Sequence, residues 1–186
     1  MRAVLADANL LFSRVLRDYF VYGAVEGLVD LRWSEEILDE VGRNLVLKNG
    51  FTKAQAERLR DGLTAFLPQA MVVPADDDYA AFSAVPMKDP DDRHVLAAAV
   101  AARADYLCTD NIEDFPEEAA RVAGVRVVSP DAFLCLMAES RPHLIVQTHR
   151  SVVRSRPGLD DTAVLDRLGV AGARTAATAI ADLLER

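Results

Sequence analysis

The chain has 186 residues, 51% of them hydrophobic but only 6% aromatic, and a net charge of −8. That length suits one domain of ordinary size around an aliphatic, alanine-rich core. Such acidity argues against a non-specific nucleic-acid binder, which displays a basic face, but leaves open an enzyme whose acids are neutralised by a bound group.

In chain order, short β-type runs alternate with longer helical patterns. Ala3–Ala6 reads as the first strand, and MRAVLAD meets an aspartate before a signal-peptide core can form. A helix is expected over 8–22, and Leu31–Trp33 is the weakest of five strand candidates. Ser34 before Glu35 and Glu36 opens a helix over 34–48, acids being favoured in a first turn. Thr52 with Gln55 makes a capping box for a helix over 52–67. Met71–Pro74 reads as a strand, and the run Asp76-Asp77-Asp78 as a solvated turn or helix start. A helix over 91–103 follows. Its apolar run, His94 to Ala102, is the longest in the chain and far too short to cross a bilayer. Tyr106–Cys108 and Val125–Val128 are the last two strands, and Ser129-Pro130 opens a helix over 130–138. Strands alternating with helices imply an α/β fold with a mostly parallel sheet covered on both faces.

A junction is expected at Glu139-Ser-Arg-Pro142, where the charge balance also changes. Residues 1–140 hold 14 Lys+Arg against 24 Asp+Glu, and residues 141–186 hold 7 against 5. The tail carries two helical patterns, Thr162–Leu168 ending at Gly169, and Ala173–Leu184. The expected division is therefore a domain over 1–139 and a helical extension over 140–186. Cys108 and Cys135 lie in apolar segments without metal-type spacing, and are expected as reduced thiols in a cytoplasmic protein.

The informative residues are acids embedded in apolar sequence, where a lone carboxylate costs several kcal/mol unless something compensates it. Asp7 follows a strand that is apolar at nearly every position, and ligands of parallel sheets bind beyond the carboxyl ends of strands. It is equally a candidate cap for the helix over 8–22. On the helix over 34–48, Ile37, Val41 and Leu45 share a face; Glu40 borders it while Asp39 points away. Lys88-Asp89-Pro90-Asp91-Asp92 places three aspartates at a helix start, where capping needs one. Thr109, Asp110 and Asn111 end the fourth strand, with Asp114 just beyond; Thr and Asn can orient a water or contact a phosphate. A divalent cation is the natural compensator for such a set.

These residues resemble the PIN-domain nucleases, and within them the VapC-type ribonuclease toxins of bacterial toxin–antitoxin pairs. The resemblance rests on AVLADANLLFS, on EILDEV around Glu40, and above all on the 28 residues DPDDRHVLAAAVAARADYLCTDNIEDFP; it covers about residues 1–137. It implies a three-layer α/β/α domain with a short C-terminal helical extension, and hydrolysis of RNA phosphodiester bonds assisted by Mg²⁺ or Mn²⁺. Asp7, Glu40 and Asp92 match the first three acids of the family. The fourth is Asp114 or Asp110, with Asp114 favoured by the Asp-Phe-Pro ending, and Asp89 is an outer contributor. Asp7, Asp92 and one or both of Asp110 and Asp114 are the expected metal ligands. Asn9, Arg93, Thr109 and Asn111 are the expected substrate contacts. Basic side chains available nearby are Arg14, Arg17, Arg43, Lys48, Lys88 and Arg93, whereas His94 is expected to be packed or at the surface. The implied partners are RNA, a cognate antitoxin protein and a second copy of the chain, with no membrane.

Two other enzyme classes fit less well. A haloacid-dehalogenase phosphatase needs Asp-x-Asp after its first strand, and Asp7-Ala8-Asn9 lacks the second acid. A receiver domain wants paired early acids and a late lysine. A degenerate PIN module that only binds is the non-enzymatic reading, and the four filled acidic positions argue against it.

Overall fold

Residues 1–185 are described by the computed structural model. Val4, Leu5 and Ala6 are fully buried in β1 (Arg2–Ala6), apolar on both faces as the middle strand of a covered parallel sheet must be. β1 pairs with β2 (Val29–Ser34) on one side and with β4 (Tyr106–Cys108) on the other. β3 (Met71–Val72) flanks β2 and β5 (Arg126–Val128) flanks β4, giving the order β3-β2-β1-β4-β5 with every pairing parallel. The segment expected to be the weakest strand is thus interior, with Leu31 and Trp33 buried. β3 stops short of Pro74, which has no N–H for a ladder.

The chain leaves β1 toward β2 but leaves β4 in the opposite direction. Right-handed crossovers therefore put α2 (Arg14–Val25) and α7 (Glu117–Ala123) on opposite faces. α8 (Pro130–Ser140) shares the face of α2: Phe133 stacks on Phe20 with centroids 5.5 Å apart and meets Tyr106 edge-on at 5.4 Å. α6 (Arg93–Ala101) packs with α7, completing the α/β/α layers. The same topology puts a switch point between β1 and β4, where a crevice opens at the carboxyl ends of the strands.

The helix expected over 8–22 is two helices, α1 (Ala8–Phe12) and α2, separated by extended backbone at Ser13. The break deprives the Leu11 carbonyl of its helical partner, and the buried Arg17 guanidinium donates to it at 2.6 Å. α3 (Glu35–Asn49) starts on the Ser34 cap and ends at Gly50 in the left-handed region. α4 (Lys53–Phe66) carries the Thr52–Gln55 capping box. The triple aspartate opens a short α5 (Asp76–Ala80). The helix expected over 91–103 begins as a 3₁₀ turn, Pro90–Asp92, before α6, and closes at Arg103 with φ 48°.

A helix absent from the sequence reading, α9 (Pro142–Arg154), opens the tail directly after α8. Its buried face combines Ile145 and Val152, two turns apart, with Thr148, His149 and Ser151 between them, a helical spacing that the sequence does carry. α10 (Asp161–Val170) runs through Gly169, the expected stop, and the chain turns at Gly172, φ 99°, into α11 (Arg174–Leu184). The tail helices pack on α2 and α8 and share their core through Ile145, Val152, Leu168 and Ile180. Polar links cross the same seam. Tyr19 donates to His149 Nδ1 at 2.6 Å, His149 Nε2 donates to Asp161 at 2.9 Å, and Arg156 pairs with Asp18 at 2.8 Å. Among the described residues no helix is long and apolar enough to cross a membrane. Cys108 is a fully buried free thiol and Cys135 a half-buried one.

Candidate active site

Asp7 is the first residue beyond β1, and its N–H donates to the carbonyl of Cys108 at 3.1 Å, which ties it to the end of β4 across the switch point. It caps α1, as one sequence reading allowed, and its carboxylate does more than cap. Oδ1 accepts from the Ala8 N–H at 2.7 Å, while Oδ2 accepts from Asn9 Nδ2 at 2.8 Å and from the Thr109 hydroxyl at 2.7 Å. Thr109 is fully buried, and its oxygen also accepts from Asn9 Nδ2 and from the Asn111 N–H at 3.0 Å. The Asn9 carbonyl oxygen accepts from the Asp110 N–H at 3.2 Å. This network sets one orientation for a carboxylate that is only 7% exposed. Burial raises its pKa, while the Thr109 and Ala8 bonds pull in the other direction.

Glu40, Asp92 and Asp114 stand with Asp7 around a cavity of about 120 Å³, joined by Asn9, Asn44, Lys48 and Asn111. Each arrives from a different element. Glu40 lies on the inner border of α3, as its helical phase predicts, and Asn44 and Lys48 follow it one and two turns later on the same face. Asp92 ends the 3₁₀ turn before α6 and makes no capping bond with its side chain. Asp114 is brought in by a second 3₁₀ turn, Ile112–Asp114, after β4. Asp110 is exposed and outside the cavity lining.

The cavity is electrostatically unbalanced. Burial and then the charges of Asp7, Asp89, Asp114 and Glu40 push the Asp92 pKa up to about 6. Glu40 goes the other way. The imidazole of His94, 3.6 Å away, outweighs burial and holds its pKa below the usual value. For His94 burial opposes protonation, but Glu40 and Glu36 more than reverse it, so its pKa is raised. Of the two expected places for His94, packed or at the surface, the structure shows the first: its side chain packs against the acids. Lys88 reaches Asp114 at 2.8 Å.

Arg93 lies outside the small cavity. It lines an adjoining groove of about 630 Å³ that shares Glu40, Asn44 and Asp92, and its guanidinium contacts the Val85 carbonyl at 3.5 Å. Of the basic side chains expected nearby, Arg43 lines that groove and Lys48 lines the cavity. Arg17 is committed to the Leu11 carbonyl and unavailable. Asn44 escaped the sequence reading, although its i+4 spacing from Glu40 placed it on the same face; its amide donates to Glu40 at 3.4 Å.

Among the described residues no three acidic, His or Cys side chains are gathered closely enough to grip an ion directly. The cavity instead offers an all-oxygen donor set around a space large enough for a cation with its own waters. That suits Mg²⁺ or Mn²⁺, which keep several waters and take few protein carboxylates.

The PIN domain family matches residues 3–113. The chain belongs to it. The match takes in Asp7, Glu40 and Asp92 but stops one residue before Asp114, whose place in this PIN domain rests on the cavity alone. Over 43 residues the chain is 46% identical to a protein of Mycobacterium tuberculosis named "Putative ribonuclease VapC50". That stretch covers 23% of this chain and only 25% of the relative's length. No solved structure matches the chain significantly.

Proposed function

We propose that the chain is a metal-dependent endoribonuclease, with Asp7, Glu40, Asp92 and Asp114 as its working acids and Mg²⁺ or Mn²⁺ as cofactor. The observation that carries this reading is the set of four carboxylates facing one small cavity at the switch point of the sheet, with too few cations to balance them. When bound, the ion supplies an activated water and neutralises charge developing on the phosphate. Asp7 and Asp92, with Asp114, are the side chains that hold it. Thr109 and Asn9 fix the Asp7 carboxylate before binding, so little ordering is left to pay. Glu40, kept ionised by His94, accepts a hydrogen bond from the attacking water and orients it. Asn111 and Lys48 face the substrate phosphate, and the groove beside Arg43 and Arg93 extends the path for the strand.

RNA as substrate rests on family resemblance and on the ribonuclease named over 43 residues. The same resemblance supports a toxin role, with a cognate antitoxin, a homodimer and a cytoplasmic setting. It also supports 1–139 as the nuclease unit and 140–186 as its extension. Cleavage of single-stranded RNA with and without Mg²⁺ or Mn²⁺ tests the enzymatic reading. Asp7→Asn keeps the shape of the side chain and is expected to abolish metal-dependent cleavage, with an unchanged circular dichroism spectrum. Cleavage at the wild-type rate by folded Asp7→Asn contradicts the assignment.

A further inference from the structure

Lys88 sits between α5 and the 3₁₀ turn that delivers Asp92, and its ammonium is 2.8 Å from Asp114 Oδ1. Apart from His94, it is the only basic side chain ion-paired with a cavity acid among the described residues. The two partners are unlike. The Asp114 side chain is 22% exposed and faces the cavity, whereas that of Lys88 is 65% exposed and reaches in from outside. A pair with one solvated, flexible partner is held weakly and opens at little cost. A divalent cation brings twice the charge to the same oxygen and does not lose four carbons of side-chain freedom on arrival. Once displaced, the ammonium stays tethered at the cavity mouth, among acids already neutralised, where a phosphate is the remaining anion to meet. Lysine binds phosphate as a compact point charge without demanding fixed geometry.

We propose that Lys88 is an exchangeable counter-ion. It neutralises Asp114 in the ion-free protein, and passes to a phosphate of bound RNA once a divalent cation engages Asp114. This exchange rests on the metal-dependent nuclease reading. It predicts opposite effects of one substitution on the two ligands, which neither a bystander ion pair nor a standing phosphate contact produces.

The test uses the full chain as wild type, Lys88→Met, Lys88→Arg, Asp114→Asn and the double variant. Mn²⁺ binding without RNA is read by titration calorimetry at fixed ionic strength. Removing the competitor is expected to tighten Mn²⁺ binding about two- to fivefold. That gain should vanish when Lys88→Met is made in the Asp114→Asn background, because the two groups act as one unit. Binding of a short single-stranded RNA is then followed by anisotropy across a salt series, with and without Ca²⁺, an ion that also takes oxygen ligands. With the ion, Lys88→Met should flatten the slope of log K against log salt by about 0.7, one phosphate contact. Without it the slope should match wild type, and Lys88→Arg should keep the wild-type slope in both. Unchanged or weaker Mn²⁺ binding by Lys88→Met overturns the exchange, as does an equal loss of slope with and without the ion. If the folded wild type takes up no Mn²⁺ at all, the metal-dependent reading itself fails, a result distinct from either of these.

Discussion

Two regions of this molecule bring charged groups out of water, and they do it in opposite ways. At the seam between the tail and α2, the charged groups meet their complements: Arg156 meets Asp18, and Tyr19, His149 and Asp161 form a chain in which every proton has an acceptor, while the neutral Thr148 hydroxyl is buried without a partner. At the carboxyl end of the sheet, Asp7, Glu40, Asp92 and Asp114 face one another, and Lys48, Lys88 and His94 balance them only in part. A closed set of pairs needs nothing further and holds the fold together. An open set of like charges costs stability, and the cation of the proposed function would offset that cost. On the proposed function, the difference separates polar groups that hold the fold from polar groups that serve a site.

Four substitutions or conditions press on that difference. The largest effect on stability is expected at the closed set. Arg156→Ala strands a largely buried aspartate and should cost about 3–5 kcal/mol in urea unfolding. A loss below about 1 kcal/mol would mean the tail is held by its apolar contacts alone.

Next is Thr109→Val, nearly isosteric, which removes a donor from Asp7 and leaves the Asn111 N–H and Asn9 amide short of an acceptor. It should cost about 1–3 kcal/mol. It should also shift the acidic limb of any cleavage profile to higher pH, because the Thr109 bond lowers the Asp7 pKa.

At the open set the sign reverses. Asp92→Asn breaks no side-chain bond and removes a like charge, so ion-free protein should gain on the order of 1 kcal/mol after allowance for solvent screening. Mn²⁺ should then stabilise wild type and leave Asp92→Asn nearly unmoved. Destabilisation of the ion-free variant would contradict a net repulsion at Asp92.

The smallest effect is a crossing of pH trends. Asp92 has a folded pKa of about 6 against an ordinary 3.8, so its protonated form favours the fold. The stability it lends is full below about 3.8 and is lost as pH rises through about 6. His149 is lowered by burial, against the pull of Asp161, so its neutral form favours the fold. Its contribution is present above about 6.5 and is lost as pH falls. Between pH 7 and 5, Asp92→Asn should therefore remove a stabilising trend and His149→Phe a destabilising one, as read by melting temperature.

Much of the open set was legible in the sequence because buried parallel strands print as unbroken apolar runs. Asp7 after Val4-Leu5-Ala6 and Thr109 after Tyr106-Leu107-Cys108 are marked by where those runs stop. Helical phase was enough to turn Glu40 inward and Asp39 outward. The Asn9–Thr109 bond was not legible, since its partners lie 100 residues apart and neither is acidic. The choice between Asp110 and Asp114 depends on a 3₁₀ turn too short to carry a pattern. The closed set was almost invisible. The amphipathic pattern of α9, with Ile145 and Val152 two turns apart on its buried face, was there to be read, but the pairings were not: a paired charge looks in sequence like a surface one.

Anomalous diffraction from a crystal soaked in Mn²⁺ tests the metal claim most directly. The expected result is a strong peak in the cavity between Asp7, Asp92 and Asp114, with Asp110 outside its coordination and the Lys88 ammonium moved off Asp114. No peak at millimolar Mn²⁺, or a peak at Asp110 with the cavity empty, would contradict it.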